Sequence, residues 1–160
     1  MKNLIKKSLI ICAAVLCANF SMALNIPSGL ANAAAAAQNA NASEKASVMK
    51  LMQDVQNSFS AMDRDSTVAD LKNAVASLKK IDTSKCPAAV KEKFKTFCGE
   101  LESYAESASK LLDEYKIKDT DVLEDIVKSN PNLAEKFQKY SDSVKKAGKE
   151  FMASAMPYLQ

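Results

Sequence analysis

Apolar side chains recur every three to four residues along most of this chain, which is the pattern of helices that each bury one face. Two such stripes flank a polar stretch between Asp63 and Thr67: Met52, Val55, Phe59 and Met62 precede it, and Leu71, Val75 and Leu78 follow it. Two helices with one apolar face each need further partners to exclude water from those faces. The spacing therefore predicts a helical bundle built from most of the chain.

The same spacing predicts four long helices at about residues 43–62, 67–81, 87–115 and 131–157, and a short one at 121–128. Ser43 is a suitable N-cap for the first helix, and Asp70 stands where a capping box needs an acidic side chain in the second. Pro87 suits the first position of the third helix, and the pair Asn130-Pro131 is typical of the start of the last. No segment carries the alternation of a strand.

Short connections make successive long helices antiparallel, so the fold class that we expect is all-α. The architecture is an up-down-up-down four-helix bundle with one short extra helix before the last helix. In that topology the start of the first helix, the loop before the third and the end of the fourth long helix share one end of the bundle. That end gathers five sulfur-containing residues: Met49, Met52, Cys86, Met152 and Met156.

The first 23 residues have the composition of a secretory signal peptide. Lysines at positions 2, 6 and 7 precede a largely apolar run, and Ser21-Met22-Ala23 is a small-x-small cleavage site. We therefore expect export to the periplasm with cleavage after Ala23. Residues 24–42 are rich in alanine and predict a linker, either a frayed helix or disordered, and residues 43–160 form the bundle domain.

Removal of the signal peptide changes the charge balance, because it takes away three of the 22 basic residues and none of the 19 acidic ones. A nearly neutral mature chain gives no basis for nucleic acid as a partner. The apolar run of the signal is shorter than the ~20 residues that cross a bilayer, so no membrane insertion is expected. We expect a monomer that binds a protein partner, redox or otherwise. The chain has no histidine and no paired nucleophile and base, so we expect no enzyme.

Two cysteines remain after cleavage, Cys86 and Cys98. An oxidising compartment favours a disulfide between them, and that is the state we expect. Twelve residues of straight helix would hold them ~18 Å apart, whereas a disulfide tolerates only ~7 Å between Cα atoms. Pairing therefore requires that the third helix proper begins near Thr96, and unpaired thiols are the alternative.

The chain resembles the cytochrome b562 family of periplasmic four-helix-bundle cytochromes. The resemblance is most specific over the first two helices: a methionine in the first turns, the Val55-Phe59-Met62 stripe, a polar turn, and then the stretch from Leu71 to Leu78. It implies electron transfer through non-covalently bound haem b, with Met52 at the position of the axial methionine. The family's axial histidine has no counterpart, and Met152 and Met156 stand near its position. The resemblance thus implies a haem held by thioether ligands.

Two other functions remain open. Methionines at helical spacing commonly fill a core, which gives a cofactor-free helical interaction or scaffold protein. Thioethers are also soft ligands for Cu(I), which makes Met49, Met52, Met152 and Met156 a candidate copper site, with the thiolate of Cys86 as an addition if it is unpaired.

Overall fold

The computed structural model describes residues 42–62 and 65–159, without the side chains of residues 124 and 127. Within these ranges the chain is all-helical and contains no strand: the helices are α1 (Ala42–Phe59), α2 (Val68–Leu78), α3 (Ala88–Glu114), α4 (Leu123–Ser129) and α5 (Pro131–Leu159). The prediction of four long helices and one short helix before the last is confirmed. The expected signal peptide, nearly all of the alanine-rich linker and the residue pair 63–64 lie outside the described residues.

Helix α2 begins with the predicted capping box. Thr67 is the N-cap, and its hydroxyl oxygen accepts a hydrogen bond from the Asp70 backbone N–H at 3.1 Å. The Asp70 carboxylate in turn accepts one from the Thr67 backbone N–H at 2.9 Å. Each group satisfies a backbone donor that has no partner within the helix, so the start of α2 is fixed locally.

Other helix ends differ from the prediction. Ser43 lies inside α1 rather than capping it, because the helix already includes Ala42. Pro131 does occupy the first position of α5, but the Asn130 side chain donates to the Ile126 carbonyl at 3.2 Å and so closes α4 instead of starting α5. Helix α5 also continues through Pro157 to Leu159.

After α3 ends, the backbone of Lys116 adopts the left-handed conformation, with φ of 55°. The Ile117 N–H then reaches back to the Leu112 carbonyl at 3.0 Å, as in a Schellman ending. The following loop lies against the start of α2, where the Ala69 N–H donates to the Asp119 carbonyl at 2.9 Å. These bonds fix the segment that carries α4.

Contacts between the long helices show which are neighbours and how they run. Helix α1 packs against α2 and α5, and α3 packs against the same two, most extensively against α5; α4 covers the beginning of α5. The Lys72 ammonium lies 2.8 Å from the Ser109 hydroxyl, and Lys79 pairs with Glu102, so α2 and α3 are antiparallel. Helices α3 and α5 are antiparallel as well. Lys93, near the start of α3, forms an ion pair at 2.8 Å with Glu150, near the end of α5. Tyr115, just after α3, has the ammonium of Lys136, near the start of α5, 5.4 Å from the centroid of its ring.

The core lies between the four long helices. Its largest fully buried side chains are the phenylalanines at 59, 97, 137 and 151 and the leucines at 51, 78, 101, 112 and 133. All of them except Leu51 occupy the apolar stripes that the sequence predicts. Within residues 42–62 and 65–159, no helix combines the length and apolar character needed to cross a membrane.

Candidate functional site

The residues proposed as ligands lie at the end of the bundle where α3 begins and α5 ends. Phe94 and Phe97, early in α3, contact Phe151, late in α5, with ring centroids 5.3 and 5.8 Å apart. The first turns of α1 reach the same end, because the Ser47 hydroxyl donates to the Lys85 carbonyl at 3.0 Å in the loop before α3. The structure thus brings the turns that carry the four methionines to one end of the bundle.

The four methionines differ in exposure. Met52 is 8% exposed and belongs to the core. Met152 and Met156 are half-buried, and Met152 packs against the core. Met49 is 59% exposed and faces water. Because Met49 and Met52 are three residues apart, they lie ~60° apart around α1, with Met52 inside the edge of the buried face and Met49 outside it.

On α1, both methionines lie away from the loop between α2 and α3. Ser47 faces that loop through its hydrogen bond to Lys85. At ~100° per residue, Met52 lies ~140° around the helix from Ser47, and Met49 ~160°. Since α2 and α5 are the neighbours of α1, this flank of the helix faces α5.

On α5, Met152 and Met156 lie away from α3. Glu150 faces α3 through its ion pair with Lys93. The two methionines lie ~160° and ~120° around the helix from Glu150. They therefore face α1, the other long neighbour of α5. We call the four side chains, Met49, Met52, Met152 and Met156, the methionine seam.

The interior beside the methionine seam is filled by aromatic rings. Phe97 and Phe151 have no exposed surface and Phe94 is 5% exposed. A porphyrin between the helices at this end would have to displace these rings, and close-packed interiors resist such a change. The ring contacts therefore leave no open slot for a porphyrin between α3 and α5 at this end. The three phenylalanines are part of the predicted apolar stripes, but their mutual contact depends on the packing of α3 on α5 and carries no signal of its own in the sequence.

The two cysteines are free thiols. Helix α3 is unbroken from Ala88 past Cys98, so the early break that pairing requires does not occur. The expected Cys86–Cys98 disulfide is therefore not formed in the structure, because twelve residues of largely helical chain hold the two thiols apart. The expectation rested on the redox compartment, and the helix geometry overrides it.

Neither thiol joins the methionine seam. The Cys86 Sγ lies 3.7 Å from the Ser47 carbonyl oxygen, on the opposite flank of α1 from Met52. Burial raises the pKa of Cys86, and burial raises the pKa of Cys98 to about 12. Both side chains therefore stay as neutral thiols near pH 7, which disfavours the thiolate that a metal ligand or nucleophile requires.

A concave region lies at the opposite end of the bundle. It is an open hollow of about 480 Å³ lined by residues of the α3–α4 loop and of α4, including Ile117, Val122 and Ile126 with Asp121 and Asp125 beside them. No sequence pattern indicates this hollow, because it depends on how the short helix docks. In the part of the chain that the structure describes, no three Cys, Asp or Glu side chains lie close enough to share a metal ion.

Comparison with protein-family models, with curated proteins and with solved structures finds no match for this chain. The resemblance to the cytochrome b562 family therefore stays a prediction from the sequence.

Proposed function

We propose that this chain is an exported, cofactor-free interaction protein, folded as an up-down-up-down bundle, that binds its partner through the methionine seam. The observation that carries the proposal is the filled interior at the seam. Because Phe94, Phe97 and Phe151 already occupy the space between α3 and α5, a ligand at this end meets the surface of the bundle rather than a cavity inside it.

Support for the topology comes from the antiparallel contacts of α3 with both α2 and α5, together with the contact between Ser47 and the loop before α3. Support for export comes from the first 23 residues, which have the composition of a signal peptide. The methionines range from the buried Met52 to the exposed Met49. Such a surface suits a binding role because unbranched thioether side chains adapt to differently shaped partners.

Electron transfer through haem is the alternative that the resemblance implies. It requires two thioether ligands and a slot for the porphyrin, and the buried phenyl rings oppose the slot. The two functions differ in whether the folded protein takes up haem.

A titration with haemin separates them. The mature protein is titrated while the haem absorption is followed, and Met52→Leu serves as the matched variant because it conserves volume and costs less than ~1.5 kcal/mol in a packed core. We expect the free-haemin spectrum with both proteins. A shifted Soret band in the wild type that Met52→Leu removes would overturn the proposal and establish the cytochrome function.

A further inference from the structure

We infer that the methionine seam binds one Cu(I) ion as cargo, with Met52, Met152 and Met156 as the principal ligands and Met49 at the exposed edge of the site. The inference rests on the proposed function, since it names the ligand of that surface. It starts from the placement of four thioethers on facing flanks of two helices that pack against each other.

The heights of Met52 and Met152 along the bundle differ by about one helical turn. Cys86 stands two residues before α3 and is beside Ser47. Phe151 contacts Phe94 and Phe97, which stand two to three helical turns beyond Cys86 along the bundle. Counting from the Cys86 level at ~1.5 Å per residue, Met52 lies ~7.5 Å along the bundle and Met152 ~12 Å along it.

The second pair of thioethers follows from the same count. Met49 lies one turn above Met52, and Met156 lies one turn above Met152 in the antiparallel helix. Met52 and Met156 are therefore nearly level, and Met49 and Met152 lie about one helical turn to either side of them.

The chemistry of this donor set selects the ion. Thioether sulfur is a soft, neutral ligand that favours Cu(I), whereas carboxylate and carbonyl oxygens suit Mg²⁺, Ca²⁺ and Mn²⁺. A neutral donor set also leaves the cation's charge uncompensated, which favours a monovalent ion at a partly buried site. The exposed Met49 and the half-buried Met156 give the ion a way in from solvent.

A thioether site has a pH signature. Thiolate and imidazole ligands must lose a proton before they bind a metal, so their affinity rises with pH. Thioethers carry no proton to lose. Affinity for Cu(I) at the methionine seam is therefore expected to stay constant between about pH 6 and 8, where a cysteine site would strengthen.

The experiment uses the mature protein and Cu(I), kept reduced without oxygen, in competition with a chromogenic Cu(I) chelator. We expect one equivalent bound, and a loss of affinity of about tenfold or more in Met52→Leu and in Met152→Leu, since even outer-shell changes at metal sites cost about 10–100-fold. Met62→Leu is the matched control, because Met62 is also half-buried but lies three residues beyond the other end of α1. Thermal unfolding of each variant checks that the bundle is intact.

Three results overturn the inference: no Cu(I) taken from the chelator, equal affinity in the wild type and both seam variants, or a loss of affinity in Cys86→Ser. NMR of methyl-labelled methionine gives a second readout, in which Cu(I) shifts the Met52 and Met152 methyl signals and leaves that of Met62 in place. Failure to bind Cu(I) leaves the proposed function standing, whereas only haemin uptake overturns that function, so the two failures are distinguishable.

Discussion

Replacement of Phe151 by alanine tests whether the interior at the methionine end is closed. The Phe151 ring has no exposed surface and contacts two other rings at 5.3 and 5.8 Å. Phe-to-Ala changes in cores cost about 3–5 kcal/mol, and each aromatic pair adds about 0.5–1.5 kcal/mol beyond its buried area. Because the alanine variant removes both aromatic pairs, we expect the upper part of that range, about 4–5 kcal/mol.

Urea denaturation followed by far-UV circular dichroism measures this loss. A domain of this size has about 5–15 kcal/mol of stability, so Phe151→Leu, which retains part of the side chain, provides a milder variant in case the alanine variant does not fold. Tyr140→Ala removes an aromatic ring that is 38% exposed on the same helix, and should change stability by only about 0.5 kcal/mol. A loss below about 2 kcal/mol in Phe151→Ala, with an unchanged dependence on urea, would refute the closed interior, because it would mean that the ring is loosely packed.

Three further predictions follow from local contacts. Gly99→Ala should raise the free energy of unfolding by about 0.5–1 kcal/mol in urea denaturation, because a Cβ there meets nothing within 4 Å and the helix loses a flexible residue; no gain would contradict this. Lys93 holds the pKa of Glu150 below its usual range, so the carboxylate stabilises the fold above the pKa of the unfolded state and this contribution is lost as the pH falls through the lower folded pKa. The stability difference between the wild type and Glu150→Gln should accordingly disappear in acid, and a difference that is constant with pH would argue against the pair. Because burial raises the pKa of Cys98 from 9.0 to about 12, stability should fall as the pH rises above 9.0, and a pH titration of Cys98→Ala should show a smaller fall, whereas equal falls would mean that the thiol is not desolvated.

The helices could be predicted because their signals are local. The apolar stripes of α3 and α5, the Thr67–Asp70 capping box and Pro131 at the first helical position each act within one or two turns of chain. One helix end that was predicted wrongly could form in two ways from the local sequence. Asn130 can cap the helix before it or the helix after it, and the structure uses it for the helix before.

The candidate site could be predicted only in part, because periodicity indicates a buried face without locating its edges. It placed Met49 and Met52 together, but only the neighbouring helices decide that Met52 lies inside the core and Met49 outside it. The contact of Phe151 with Phe94 and Phe97 joins residues more than 50 positions apart, so no local pattern reveals it. The disulfide was expected from an oxidising compartment, but it requires a break in the third helix, and in the structure the continuous α3 separates the two free thiols.

The absorption spectrum and the iron content of the purified protein test the central claim most directly. The claim is that the bundle fills its own interior at the methionine end and meets its ligand at the surface. We expect the purified protein to show no Soret band and no bound iron. A Soret band with stoichiometric iron, lost in Met52→Leu, would contradict the account.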